Sequence, residues 1–174
     1  MALKNNISFS LALVATAVVL FAATANSQAT DHCAVAADKE LCVALVKGAK
    51  TWPEAMTNAL QATLQKANVA KSVVDGIPKK LSPSLEPQSK ESIKKTCLDA
   101  YQSIIDNSKE CLGYVKSGDP FSSLKTYLSS IGYTDCVDGL NDFGESLPEV
   151  SQFSTDMRKF ANTLLAIADS KKKN

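Results

Sequence analysis

Five cysteines, one histidine and a run of aspartates are the residues in this sequence whose type and spacing bear on chemistry. The cysteines are Cys33, Cys42, Cys97, Cys111 and Cys136, and no two of them form the C-x-x-C spacing of a redox or zinc site, so no metal ligand set is assigned. What they do depends on the compartment. Met1 to Asn6 carries a single Lys4 and is followed by the apolar run ISFSLALVATAVVLFAATA, in which Ala23 and Ala25 suit an A-x-A cleavage site. This pattern predicts a secretory signal peptide over 1–25 and a mature chain over 26–174. Ser8, Ser10, Thr16 and Thr24 interrupt the run and no cationic stop follows it, which disfavours a membrane anchor. A secreted chain meets oxidising conditions, so its cysteines are read as disulfide partners.

Geometry then sorts the pairs. On one continuous helix Cys33 and Cys42 would stand about 13 Å apart, and Cys97 and Cys111 about 21 Å, both beyond the reach of a disulfide. If the chain folds back near Gly118, Cys136 lies eighteen residues after the bend, Cys97 twenty-one before it and Cys111 only seven before it. Antiparallel register therefore favours Cys97 with Cys136. Cys111 is left as a free thiol on an apolar stripe, where it acts as a small hydrophobe. Cys33 and Cys42 then have each other, which requires a turn near Asp38 and makes CAVAADKELC a small helical hairpin.

The other reactive candidates point away from catalysis. His32 is the only histidine and sits beside Cys33 at the edge of the mature chain, so a Ser-His-Asp or Cys-His mechanism would need it to reach out of a terminal hairpin. Asp135, Asp138 and Asp142 fall on one helix side at i, i+3 and i+7. They lack the ligand order and closing glutamate of an EF-hand and read as a solvated or partner-facing surface. No G-x-S-x-G, phosphate loop or cofactor motif occurs. Without Lys4 the chain holds eighteen basic and eighteen acidic residues, a balance that gives no signal for nucleic acid or for an anionic membrane.

The elements that position these residues show helical periodicity throughout. Thr51 and Glu54 form a capping box with Pro53 in the first turn; Met56, Leu60, Thr63, Ala67, Ala70, Val74 and Ile77 follow, with Leu64 and Val73 widening the stripe and Gly76 ending it. Pro78 to Pro87 is a proline-punctuated connector. A second stripe takes in Ile93, Cys97, Tyr101, Ile104, Ser108, Cys111 and Val115, closed by Gly118. A third opens at Asp119-Pro120 with Phe121, Leu124, Leu128 and Ile131, breaks at Gly132, and continues through Cys136, Leu140 and Phe143. Ser146 and Glu149 suggest another capping box before the last stripe, Val150, Phe153, Met157, Phe160, Leu164 and Ile167. Trp52, the only tryptophan, is placed to staple the first bundle helix to the hairpin. Four amphipathic segments with short connectors predict an all-α fold: an antiparallel four-helix bundle preceded by a small disulfide-linked N-terminal helical hairpin.

At these residues the chain resembles the plant invertase and pectin methylesterase inhibitors. The shared features are the signal peptide, a C-x8-C hairpin, the bundle and a wide second cystine. KTCLDAY (Lys95 to Tyr101) resembles the family's C-x-x-x-Y opening of a bundle helix. DCVDGLNDF (Asp135 to Phe143) is similar to its segment after the fourth cysteine, and ANTLLAIA (Ala161 to Ala168) to its final helix. The family's pairing of cysteines, first with second and third with fourth, agrees with the geometric assignment.

The resemblance implies a secreted inhibitor of the apoplast or cell wall, with the vacuole as alternative destination. It would act without cofactor, as a monomer or in a 1:1 complex, by laying a bundle face over the cleft of a carbohydrate enzyme. Invertase inhibitors carry an Asp-Pro-Lys-Phe motif that Asp119, Pro120 and Phe121 match without its lysine. Methylesterase inhibitors place threonine directly before the fourth cysteine, where this chain has Asp135, preceded by Thr134. Pectin methylesterase, the target of the larger branch, stands ahead of invertase. A helical carrier of a small hydrophobic ligand is the alternative of another class, disfavoured by stripes rich in Ala and Ser that would pack closely.

Overall fold

The computed structural model describes residues 31–118, 121–132 and 135–171, so the signal peptide expected over 1–25 lies outside the described residues. Every regular element among the described residues is helical. Asp31 and His32 are helical, the chain turns, and α1 (Lys39–Val46) begins with Asp38 as its N-cap, whose carboxylate accepts from Leu41 N–H at 2.9 Å. The capped turn brings the Cα atoms of Cys33 and Cys42 to 5.7 Å, and a disulfide joins them. The sequence CAVAADKELC is thus a hairpin, as its cysteine spacing required.

The bundle begins with α2 (Trp52–Ser72), where the Thr51 and Glu54 side chains each bond the other's backbone N–H. A 3-10 turn, Val74–Gly76, and a single helical turn, α3 (Ile77–Lys80), follow. The proline connector is therefore helical at its start, because Pro78 occupies a first-turn position where its missing N–H is not needed. The tighter turn also rotates the stripe. Val74 and Ile77 stay buried while Val73, expected to widen the apolar face, is 59% exposed. The longest helix, α4 (Pro87–Ser117), ends at Gly118, whose φ of 69° is left-handed and whose N–H reaches Tyr114 C=O.

The third arm is divided into α5 (Phe121–Ser130) and α6 (Asp135–Asn141). After α6 the chain reverses sharply. Gly144 adopts φ of 69° and its N–H bonds Asn141 C=O, while Glu145 N–H bonds Leu140 C=O, the paired contacts of a Schellman turn. This turn swings Phe143 off the stripe assigned to it and leaves it 40% exposed.

The last helix, α7 (Pro148–Ser170), has Leu147 as its N-cap with no side-chain hydrogen bond. The capping box expected of Ser146 and Glu149 does not form. The chain enters the helix one residue later, with Leu147 buried, and the Glu149 carboxylate goes instead to Lys80 Nζ at 2.6 Å.

The long helices alternate in direction. Trp52 at the start of α2 donates its indole N–H to Ile167 C=O near the end of α7 at 2.8 Å, and Lys71 near the end of α2 donates to Gln102 on α4. Trp52 therefore ties the first bundle helix to the last by a hydrogen bond; Lys171 Nζ lies 4.4 Å from the centre of its ring. The hairpin is anchored separately, through Asn58 Nδ2, which donates to Val46 C=O at 2.9 Å. α4 packs along α2 on one side and against α5 and α6 on the other, and α7 closes against α2, α5 and α6. Met56, Leu60, Ile104, Leu128, Met157 and Leu164 are fully buried where these helices meet. Each such side chain contributes about 1.5–3 kcal/mol by leaving water.

Candidate functional site

Four of the cysteines serve the scaffold. Cys97 lies eleven residues into α4 and Cys136 opens the buried side of α6; their disulfide holds the detached short helix against the long one. The Tyr101 hydroxyl donates to Cys136 Sγ at 3.4 Å, and its ring meets Phe153 of α7 edge-on with centroids 4.7 Å apart. Burial, with the Glu149 charge as a lesser cause, raises the Tyr101 hydroxyl to a pKa of about 12. Cys111 is a free thiol with no exposed surface, and burial raises it to about 12 as well, with Glu110 nearby adding to the effect. A thiol so protonated is no nucleophile at physiological pH.

His32 is not free to act at a surface. It is 5% exposed, and neither ring nitrogen has a hydrogen-bond partner. Among the described residues no group of three or more His, Cys, Asp or Glu side chains is arranged to hold a metal ion.

The residues singled out for partner contact divide into two places. Asp119, Pro120 and Thr134 lie outside the described residues, as does the side chain of Phe121, although its backbone opens α5. Asp135 is exposed as the first residue of α6. Between the two places runs α5, whose ten residues rise about 15 Å. The end of α4 lies at the same end of the bundle as Trp52, whereas Asp135 stands beside the Cys97 staple, most of the way toward the other end. Asp138 and Asp142 are exposed like Asp135, and no ion pair joins any of the three to a cation among the described residues.

Two surface grooves had no counterpart in the sequence reading. One, of about 570 Å³, opens where α5 ends and α6 and α7 pass; Ser129, Gly132, Asp138, Ser154, Arg158 and Asn162 are on its walls. The other, of about 190 Å³, runs between α2 and α7 beside the exposed Val69 and Val73. It is bounded by two ion pairs, Lys66 with Asp156 at 2.7 Å and Lys80 with Glu149 at 2.6 Å. Each lysine holds its partner carboxyl below the usual carboxylate range. The first groove left a faint signal in the sequence: Ser154, Arg158 and Asn162 recur every four residues, which places one polar row on α7, and Arg158 is the chain's single arginine.

Among the described residues the cysteines of this stapled helical bundle are paired or buried and its only described histidine is buried. The model of the plant invertase/pectin methylesterase inhibitor family matches residues 9–167, and the chain belongs to that family. Its members are inhibitors, and the protein is not an enzyme. Two solved structures share the fold. A mutant form of a pectin methylesterase inhibitor from Arabidopsis superposes with a TM-score of 0.61 at 17% identity, over 79% of this chain and 92% of that one. A pectin methylesterase inhibitor from Arabidopsis thaliana gives 0.57 at 18% identity, over 82% of this chain and 95% of the other. Among curated proteins none matches.

Proposed function

We propose that this chain is a secreted inhibitor that lays one face of its bundle over the substrate cleft of pectin methylesterase in the cell wall, with acid invertase as the second target. Family membership carries the inhibitor class, and the likeness to two pectin methylesterase inhibitor structures supports the first target over the second. The missing lysine after Asp119-Pro120 argues the same way, because it removes a cation that would meet the acidic groups of an invertase cleft. The signal peptide over 1–25 delivers the single inhibitor domain, 26–174, to the apoplast, and the complex is one to one. The contact face takes in Asp119, Pro120 and Phe121 at one end of α5 and Thr134 and Asp135 beyond the other, around α5 as its spine. No described helix is long and apolar enough to cross a membrane.

The test is titration of the oxidised mature protein into each enzyme across the acidic to neutral range, with residual activity and complex formation measured. One activity falls in proportion to inhibitor added, and Asp135→Lys, an exposed change, raises the inhibitor needed by tenfold or more. Full activity of both enzymes at excess inhibitor would falsify this reading and leave the fold untouched.

A further inference from the structure

The larger groove has the chemistry of a ligand site in its own right. Its α7 wall carries Ser154, Arg158 and Asn162 on three successive turns, a polar row about 12 Å long. Opposite, α6 contributes Asp138 and Val137, and Val137, Ala161 and Leu165 supply apolar surface between the walls. At Gly132 the end of α5 presses against α7 so closely that a Cβ there would lie 3.2 Å from that of Ala161, which fixes the spacing of the walls.

Two polar side chains on this groove have no protein partner among the described residues and face its water. Ser154 is only 3% exposed and lines the groove, yet among the described residues its hydroxyl has no hydrogen-bond partner. Arg158 has no ion-pair partner among the described residues either, although the acids of the same helix are taken: Glu149 by Lys80, Asp156 by Lys66 and Asp169 by Lys125. Arg158 is exposed on the groove wall, and its guanidinium offers a planar fork suited to a carboxylate. Around it stand a hydroxyl, an amide and a carboxylate, which donate to and accept from hydroxyl groups. The volume of about 570 Å³ is within the range of small-molecule sites.

The geometry points to a binding site for a short acidic oligosaccharide. Arg158 pairs with a uronate carboxylate; Ser154, Asn162 and Asp138 hold ring hydroxyls; Val137 and Leu165 meet the C–H face of the sugar. The site needs nothing from the enzyme target, so it stands or falls separately from the inhibitory activity.

The test is calorimetric titration of the mature protein alone with trigalacturonate, with a neutral galactose trimer and glutarate as comparison ligands. Trigalacturonate binds saturably, the neutral trimer and glutarate each bind at least tenfold more weakly, and Arg158→Gln weakens the acidic trimer at least tenfold with an unchanged melting curve. Arg158→Lys, which keeps the charge and loses the fork, falls between. Absence of saturable binding, equal binding of the neutral trimer, equal binding of glutarate, or full affinity in Arg158→Gln would each overturn the assignment. Inhibition of pectin methylesterase, assayed in parallel with no sugar added, reports on the inhibitor reading alone.

Discussion

The helix α4 runs for thirty-one residues without a break, whereas the arm that returns beside it is divided into α5 of ten residues and α6 of seven. Both line the same core. A helix of four turns or more gains from cooperativity along its own length, while one of two turns has almost no stability of its own and depends on what holds it. α6 is held by a disulfide to α4 and by Leu140, which is buried, and ends in a Schellman turn. The long α4 is scaffold, and the divided arm borders the larger groove.

Removing the staple should therefore strike the divided arm hardest. Cys97→Ala with Cys136→Ala opens a loop with a separation of 39 residues, for which the chain-entropy estimate is about 4 kcal/mol. Opening Cys33–Cys42, a separation of 9, costs about 2.7 kcal/mol on the same estimate. Urea unfolding measures both. Amide exchange separates them further: α6 loses protection in the first variant while α4 keeps it. Equal loss of protection along α4 and α6 would mean that the long helix has no independent standing.

High pH attacks from the α4 side. Cys111 and Tyr101 both lie on that helix, and burial raises each to about 12, from ordinary values of 9.0 and 10.0. A neutral acid with a raised folded pKa supports the fold fully below its unfolded pKa and loses that support as pH climbs toward the folded one. Stability should thus begin to fall near pH 9 from Cys111 and more steeply above pH 10, where Tyr101 joins, by up to about 1.4 kcal/mol per pH unit for each group. Cys111→Ala removes the first part of that slope, seen in urea midpoints from neutral pH upward. The native thiol also stays unlabelled by a neutral-pH disulfide reagent and counts as one after unfolding.

Two glycines put the comparison on the scale of one methyl group. A Cβ on Gly139 in α6 would lie 2.9 Å from Thr96 Cγ2 of α4, beside the staple, whereas one on Gly113 in α4 meets nothing within 4 Å. Gly139→Ala should cost about 1–3 kcal/mol by overpacking, and Gly113→Ala should gain about 0.5–1 kcal/mol by helix propensity. Thr96→Ser removes the obstructing methyl, so the double variant with Gly139→Ala recovers most of the loss in a mutant cycle. A loss that Thr96→Ser does not relieve would show that α6 and α4 meet elsewhere.

What could be read from the sequence follows the same division. All seven stripe residues assigned to α4, from Ile93 to Val115, are buried, because a long amphipathic period with a left-handed glycine at its end leaves little choice. The cysteine register followed from that same regularity, since antiparallel rods convert residue counts into depth along the bundle. Where two residues' preferences compete, the period alone does not decide. Val73 left the core when the chain tightened into a 3-10 turn, and Phe143 left it at Gly144, because backbone turns re-aim side chains without altering the pattern of residue types. Of the groove around Arg158 only the α7 row was legible, as a four-residue period, because its walls come from three segments that the sequence does not bring together. Likewise Trp52 could be placed at a helix start, but its bond to Ile167, 115 positions away, follows from how the first and last helices close the bundle.

The smallest effect separates two motifs that look alike on paper. Thr51-x-x-Glu54 and Ser146-x-x-Glu149 both have the capping-box pattern, each with a proline between. In the first, Thr51 Oγ1 accepts from Glu54 N–H and the Glu54 carboxylate accepts in return from the N–H groups of Thr51 and Lys50, which pull its pKa down. In the second, the carboxylate is claimed by Lys80 and Ser146 is exposed one residue outside the helix. Thr51→Ala should therefore cost about 1 kcal/mol, and Ser146→Ala less than about 0.5 kcal/mol. Lys80→Ala offers a sharper version, because it releases Glu149 while leaving Ser146 in place. If the box is only outcompeted, Ser146→Ala becomes costly in the Lys80→Ala background; if Leu147 fixes the helix start by its own burial, Ser146 stays silent in both. The buried Leu147 and its carbonyl, which already accepts from Val150 and Ser151, favour the silent outcome.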